Sequence, residues 1–130
     1  MKILVNLNCL GDNSHRYEAR NRYDEYDEMQ PEDDPIKPLI DLLKGMSETF
    51  EIIVYTSMRE KYRYQVEQWL TDNEVPADDV IFREDNDYSK NYELFAETIS
   101  GFDDVQLVIE SDMRTIETIR GEGFYVLEAE

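Results

Sequence analysis

The sequence predicts a three-layer α/β fold, in which a mostly parallel, five-stranded sheet carries helices on both faces. Short apolar runs alternate along the chain with segments whose apolar residues recur at helical spacing. This alternation requires right-handed crossovers between parallel strands, which produces a Rossmann-like layered sheet. A length of 130 residues and a hydrophobic fraction of 41% suit one core, so we expect residues 1–130 to form a single domain.

Five strands are expected, at residues 2–6, 50–56, 80–82, 105–109 and 124–127. The first reads Lys-Ile-Leu-Val-Asn, a continuous apolar run of the kind that is buried on both faces of a parallel sheet. The second, Phe-Glu-Ile-Ile-Val-Tyr-Thr, is also interpreted as a buried strand. Because ligands of such sheets bind beyond the carboxyl ends of the strands, the residues that follow these runs form the candidate site.

Four helices are expected between the strands. The first covers residues 35–47, because Asp34 is a typical N-cap and Pro35 suits the first helical position. Ser57 and Glu60 match a capping box, which predicts that a second helix begins directly after the second strand. Glycines are expected to end the third and fourth helices. The predicted apolar faces contain Ile36, Leu39, Ile40, Leu43, Val66, Trp69, Leu70, Tyr92, Phe95, Ile99, Ile116 and Ile119.

Residues 9–34 have a different character from the rest of the chain. They are polar and tyrosine-rich, and acidic residues accumulate towards their end. Such a run of like charges is expected to lie in solvent as a loop or as short irregular structure. Three arginines, Arg16, Arg20 and Arg22, form a local basic patch in this segment. They could bind a phosphate, although arginines in such surroundings more often pair with neighbouring acids.

The charge balance restricts the classes of partner. The chain has 31 acidic and 13 basic residues, a net charge of −18, which repels the phosphates of nucleic acids. Direct nucleic-acid binding is therefore disfavoured, and a protein partner is expected. Two interpretations of the acidity stay open. It can serve solubility, or the acidic surface can imitate a nucleic acid and occupy a basic groove of another protein.

Cysteine content and hydropathy predict a cytoplasmic protein with no membrane association. Cys9 is the single cysteine and cannot form an intramolecular disulfide, and no signal-like segment precedes the first strand. No apolar run approaches the roughly 20 residues that a membrane helix needs. We expect Cys9 to be a small buried hydrophobe rather than a nucleophile, because the only histidine, His15, is not adjacent to it in sequence.

Polar residues follow three of the predicted strands, the first, second and fourth, and a lysine lies near the start of a helix. These residues are expected to converge on one cleft: Asn6, Asn8, Cys9, Thr56, Ser57, Lys90, Glu110 and Asp112. Their order and spacing resemble those of the haloacid-dehalogenase-type (HAD-type) phosphatases. Within that superfamily the chain is most similar to the 3'-phosphatase domain of phage-type polynucleotide kinases. The similarity extends over nearly the whole chain and includes the 38–43 helix, the 66–76 stretch and the Asp87-Tyr88-Ser89-Lys90 segment.

The resemblance implies a HAD-type fold with a minimal cap or none, and a set of site residues. It places Asn6 and Asn8 where the family has the aspartate nucleophile and the aspartate acid–base group. Thr56, Ser57 and Lys90 are in the phosphate-binding positions. Glu110 and Asp112 are near the magnesium-binding acids, with Ser111 replacing one of them.

A carboxamide neither attacks phosphorus usefully nor exchanges a proton, so two roles of the mechanism are vacant. Cys9 and Leu10 also replace the family's glycine and threonine, and Ser111 replaces an acid. These additional changes indicate natural degeneration rather than a single engineered substitution.

Three functions are consistent with this pattern. The first is an inactive pseudo-phosphatase that acts as a binding or regulatory protein, with no cofactor or with weakly bound magnesium. The second is a residual magnesium-dependent phosphomonoesterase that acts on nucleic acid 3'-phosphates or on nucleotides. The third is an acidic nucleic-acid mimic that inhibits a host protein.

Overall fold

A computed structural model describes residues 1–129 of the chain and confirms the predicted fold class. The strands are β1 (Lys2–Asn6), β2 (Gly11–Asp12), β3 (Asp34–Pro35), β4 (Glu51–Arg59), β5 (Asp79–Arg83), β6 (Val105–Glu110) and β7 (Val126–Glu128). The helices are α1 (Tyr23–Glu28), α2 (Lys37–Met46), α3 (Arg63–Asp72), α4 (Asn91–Ser100) and α5 (Met113–Gly121). Within the described residues, no helix is both long and apolar enough to span a bilayer.

The central sheet has the strand order β5-β4-β1-β6-β7, and every pair of neighbouring strands is parallel. Strands β4 and β5 therefore follow one another on one side of β1, and β6 and β7 follow on its other side. The order reverses between β1 and β6, and their carboxyl ends flank the crevice in which ligands of such sheets bind.

Successive residues of the strands point to opposite faces of the sheet, and each face has its own core. Ile3 and Val5 of β1 pack in one cluster together with Leu43 and Trp69 from the helices on that side. Leu4 lies in the other cluster, whose helical members are Phe95, Ile99, Ile116 and Ile119. This arrangement explains why the strand sequences are continuously apolar rather than alternating.

The predicted start of the first long helix is wrong. Asp34 and Pro35 form β3, which pairs antiparallel with β2 in the register Gly11 with Pro35. The amide of Ile36 then donates to Leu10 O at 2.8 Å, so the chain is still extended at this point. Helix α2 begins at Lys37, with Pro38 in its first turn, where a missing backbone N–H costs nothing.

The capping box predicted at Ser57 and Glu60 is also wrong. Strand β4 continues to Arg59, which pairs with Arg83 of β5, and a single turn of 3-10 helix then precedes α3. The carboxylate of Glu60 accepts from Arg63 at 2.8 Å instead of capping a helix. Ser57 thus lies within β4 and Glu60 in the turn that follows it, so the two residues do not cap a helix.

Residues 9–34 consist of short elements with mostly exposed acidic side chains, as their charge predicts, but the segment is also anchored to the rest of the domain. Their acidic part forms α1 and packs against α3, where Gln65 Nε2 donates to Asp27 O at 2.7 Å and Trp69 Nε1 donates to Asp33 O at 3.0 Å. Gly11 allows this close approach, because a Cβ there would lie 3.1 Å from both Asp33 Cβ and Trp69 Cζ2. The segment is therefore a packed part of the domain.

Candidate functional site

Asn6 is the last residue of β1 and is almost completely buried, at 3% exposure. Both ends of its carboxamide have partners. Nδ2 donates to Glu110 Oε1 at 2.8 Å, and Oδ1 accepts from the amide of Asn8 at 2.9 Å, which caps the 3-10 turn Leu7–Cys9. The Asn6 side chain is therefore neutral, and both ends of its carboxamide are engaged in internal hydrogen bonds.

Glu110 ends β6 and is completely buried. Its Oε1 accepts from Asn6 Nδ2 and from the Tyr55 hydroxyl, both at 2.8 Å. Its Oε2 accepts from the amides of Ser111 at 2.8 Å and Asp112 at 3.0 Å. Four donors thus surround one carboxylate, and the contact joins the carboxyl ends of β1 and β6 to the middle of the adjacent strand β4.

Burial and this carboxylate shift the pKa values of two neighbours. Burial, and then the proximity of Glu110, raise the pKa of the Tyr55 hydroxyl well above its usual range. The same two causes raise the pKa of the Cys9 thiol to about 12. Cys9 is buried, with Sγ 3.9 Å from Ile109 O. It is therefore protonated and unreactive at neutral pH, in agreement with its interpretation as a buried hydrophobe.

A cleft of about 590 Å³ lies over the carboxyl ends of β1 and β6, at the point where the strand order reverses. Its lining contains two carboxylates, Asp12 and Asp112, and two carboxamides, Asn8 and Asn13. Asp112 Oδ2 also caps α5, since it accepts from the amide of Thr115 at 3.0 Å and from its hydroxyl at 2.8 Å. The cleft thus has a polar lining with an excess of negative charge.

The predicted phosphate-binding residues lie away from this lining. Within residues 1–129, the lining of the cleft does not include Thr56, Ser57 or Lys90. Thr56 is buried, and its Oγ1 accepts from the amide of Met58 at 3.1 Å. Lys90 is exposed at the N-terminal end of α4. The structure therefore brings Asn6 and Glu110 into direct contact and places Asn8, Cys9 and Asp112 at the cleft, while Thr56, Ser57 and Lys90 are not part of its lining.

Arg83 was not among the predicted site residues, although it connects two segments that contain them. The guanidinium is buried at the end of β5, and its Nε donates to Ser57 O at 3.1 Å. Its Nη1 donates to Ser89 O and its Nη2 to Asn91 Oδ1, both at 2.7 Å. Burial lowers the pKa of this arginine. Its position, a single arginine directly after a buried apolar run, was the only signal for this role in the sequence.

Tyr55 was also missed, because it lies within an apolar run and was assigned to the core. Its ring is in the core, 4.9 Å from the Phe95 ring between centroids, and its hydroxyl extends to Glu110. A tyrosine near the carboxyl end of a buried strand must find a partner for its hydroxyl, which is the signal that could have identified it.

Comparison with solved structures identifies the same architecture elsewhere. Two structures match over 98% of this chain with a TM-score of 0.80 and 21% identity. One is described as the Pnkp1/Rnl/Hen1 complex and the other as the Pnkp1/Rnl/Hen1 RNA repair complex. The fold is shared with a chain of an RNA repair complex.

The similarity is one of fold, since 21% identity is too low to transfer a function. The present chain covers 45% and 41% of the two matched chains, less than half of their length. No family model and no curated protein sequence matches the chain.

Proposed function

We propose that this protein is a catalytically inactive HAD-like pseudo-phosphatase that binds a protein partner at the carboxyl edge of its sheet. One observation carries the proposal: Asn6, at the position of the family's nucleophile, is a buried carboxamide that donates to Glu110 and accepts from Asn8. A neutral side chain with both ends hydrogen-bonded cannot form a phosphoenzyme intermediate, and loss of a nucleophile removes most of an enzyme's acceleration.

The charge distribution supports a protein as the partner. The net charge of −18 and the two carboxylates in the cleft disfavour a nucleic acid or a free phosphate ester. The structures with the same fold are multi-protein complexes, which is consistent with a scaffold that works in an assembly.

The test combines a binding assay and a phosphatase assay on one preparation of the full chain. The wild type is used as bait in a host lysate, beside Asn8→Arg, which blocks the cleft, and Asn86→Arg, which makes the same change at an exposed loop residue. We expect a protein that is retained by the wild type and by Asn86→Arg and is lost with Asn8→Arg. Equal recovery with all three baits would rule out the cleft edge as the binding surface.

The same preparation is then assayed with p-nitrophenyl phosphate and with a 3'-phosphorylated oligonucleotide, both in magnesium. We expect no phosphate release above background. Turnover of about 1 per second or more, an ordinary enzyme rate, would refute the pseudo-phosphatase assignment and favour the residual phosphomonoesterase.

A further inference from the structure

The residues at the site do not fit the magnesium ion that the family resemblance implies. Magnesium requires oxygen ligands in near-ideal octahedral geometry and is usually held through one or two carboxylates. Both oxygens of Glu110 already accept two hydrogen bonds each, and Asp112 Oδ2 accepts two at the start of α5. Across the described part of the chain, no group of three or more His, Cys, Asp or Glu side chains could hold a metal ion.

We infer that the Asn6 carboxamide takes the place of a cation. The hydrogen bonds from Asn6 and Tyr55 satisfy the Glu110 carboxylate, so that the site needs no metal ion. The Nδ2 group presents the positive end of the amide dipole to Glu110 Oε1 at 2.8 Å. An aspartate at position 6 would instead bring a second carboxylate to this distance in a fully buried location, where like charges are strongly unfavourable without a cation or a proton between them.

This inference rests on the proposed function and deepens it, because it concerns the same site and states that the site does not depend on a divalent cation. A carboxylate held by donors from β1, β4 and the loop after β6 presents a surface whose shape does not depend on divalent cations. Partner binding at the neighbouring cleft is therefore independent of magnesium.

The experiment measures the melting temperature of the full chain in magnesium chloride and in EDTA at matched ionic strength. An acidic protein gains some stability from any divalent cation, so the informative quantity is the magnesium-induced shift relative to a variant without the Glu110 carboxylate. We expect equal shifts for the wild type and Glu110→Gln. A larger, saturable shift for the wild type at submillimolar magnesium would overturn the inference, because Glu110 would then be a ligand.

The reciprocal test restores the acid. Asn6→Asp is expected to melt below the wild type in EDTA and to show a magnesium-induced shift larger by about 3 °C or more, since a cation now relieves the buried pair. Asn21→Asp adds the same charge at an exposed residue and controls for net charge. An Asn6→Asp variant with the same melting temperature and magnesium response as Asn21→Asp would also overturn the inference.

Tyr55→Phe provides a second variant that keeps the fold. Loss of one of the four donors should lower the melting temperature without creating a magnesium response. A new magnesium response would contradict the inference that the Glu110 carboxylate needs no metal ion. If Asn6→Asp does not fold in either buffer, the inference is tested by the magnesium-induced shifts of the wild type and Glu110→Gln alone. None of these outcomes depends on turnover, so the inference and the pseudo-phosphatase assignment can fail independently.

Discussion

Arg16 and Asp33 form a buried ion pair within residues 9–34. Arg16 Nε donates to Asp33 Oδ1 at 2.9 Å, Nη2 binds Asp33 Oδ2, and the two side chains are 2% and 5% exposed. The Arg16 guanidinium also lies 4.4 Å from the centre of the Tyr26 ring and donates to Tyr26 O at 3.0 Å. The patch of arginines expected in this segment therefore does not present Arg16 to a phosphate.

Removal of one member of this pair should be strongly destabilising. Arg16→Met leaves the Asp33 carboxylate buried without its main partner, and we expect a loss of about 3–5 kcal/mol in the free energy of unfolding. Arg63→Met is the control, because Arg63 pairs with Glu60 and Glu67 at the surface, where such pairs contribute about 0–1 kcal/mol. Urea unfolding measures both losses. Equal losses would contradict the buried arrangement of Arg16 and Asp33.

Arg83 should anchor the loop between β5 and α4. Arg83→Met leaves the carbonyl groups of Ser57 and Ser89 without their donor, and we expect about 2–3 kcal/mol of destabilisation. Amide hydrogen exchange should increase most in residues 84–91. Lys90→Met, in the same loop but exposed, should change stability by less than about 0.5 kcal/mol. If the two variants behave alike, the loop does not depend on the buried guanidinium.

Asp27 should make stability depend on pH. Burial, together with the neighbouring Asp24, raises the pKa of this carboxyl to about 6, although Arg16, Arg59 and Lys61 oppose the shift. A raised pKa means that the folded state binds the proton more tightly than the unfolded state does. The contribution of Asp27 is therefore fully present below the ordinary carboxyl pKa and is lost as the pH rises through about 6.

Asp27→Asn should accordingly stabilise the protein at pH 7.5, by about 1 kcal/mol after allowance for the partial exposure of the side chain. The difference from the wild type should shrink as the pH falls from 6 to 4. Glu25→Gln removes an exposed charge on the same helix and is the control. Unfolding curves across this pH range measure the effect, and a constant difference between variant and wild type would exclude Asp27 as its source.

The proposed relationship to HAD-type phosphatases predicts that aspartates at positions 6 and 8 confer some phosphatase chemistry. Asn6→Asp with Asn8→Asp supplies a nucleophile and an acid–base group, so we expect magnesium-dependent stabilisation and weak phosphatase activity. The changed turn at Cys9 and Leu10 and the serine at position 111 should limit the rate. Phosphate release is measured beside Asn8→Asp alone, which lacks the nucleophile and should be inactive. A double variant with neither magnesium dependence nor activity would remove the main mechanistic support for the HAD-type assignment.

The sequence by itself determined the sheet and most of the helices. Its apolar runs at β1 and β6 could only be buried on both faces, and the periodicity around Phe95 and Ile99 allowed only a helix that packs on them. It also carries the proposal that Asn6 and Asn8 cannot perform HAD-type phosphatase chemistry, because that proposal depends on the kind of side chain rather than on its position.

The tertiary structure alone decided which polar groups meet. Asn6 and Glu110 are 104 residues apart, and Arg16 and Asp33 are 17 apart, so no local pattern connects either pair. The local signals at Asp34 and Ser57 failed for a similar reason, since both residues lie in strands, β3 and β4, that are fixed by pairing with distant parts of the chain. Charge alone predicted that residues 9–34 lie in solvent, and most of their acidic side chains do, but hydrogen bonds from Gln65 and Trp69 of α3 to backbone carbonyls of the segment anchor it to the domain.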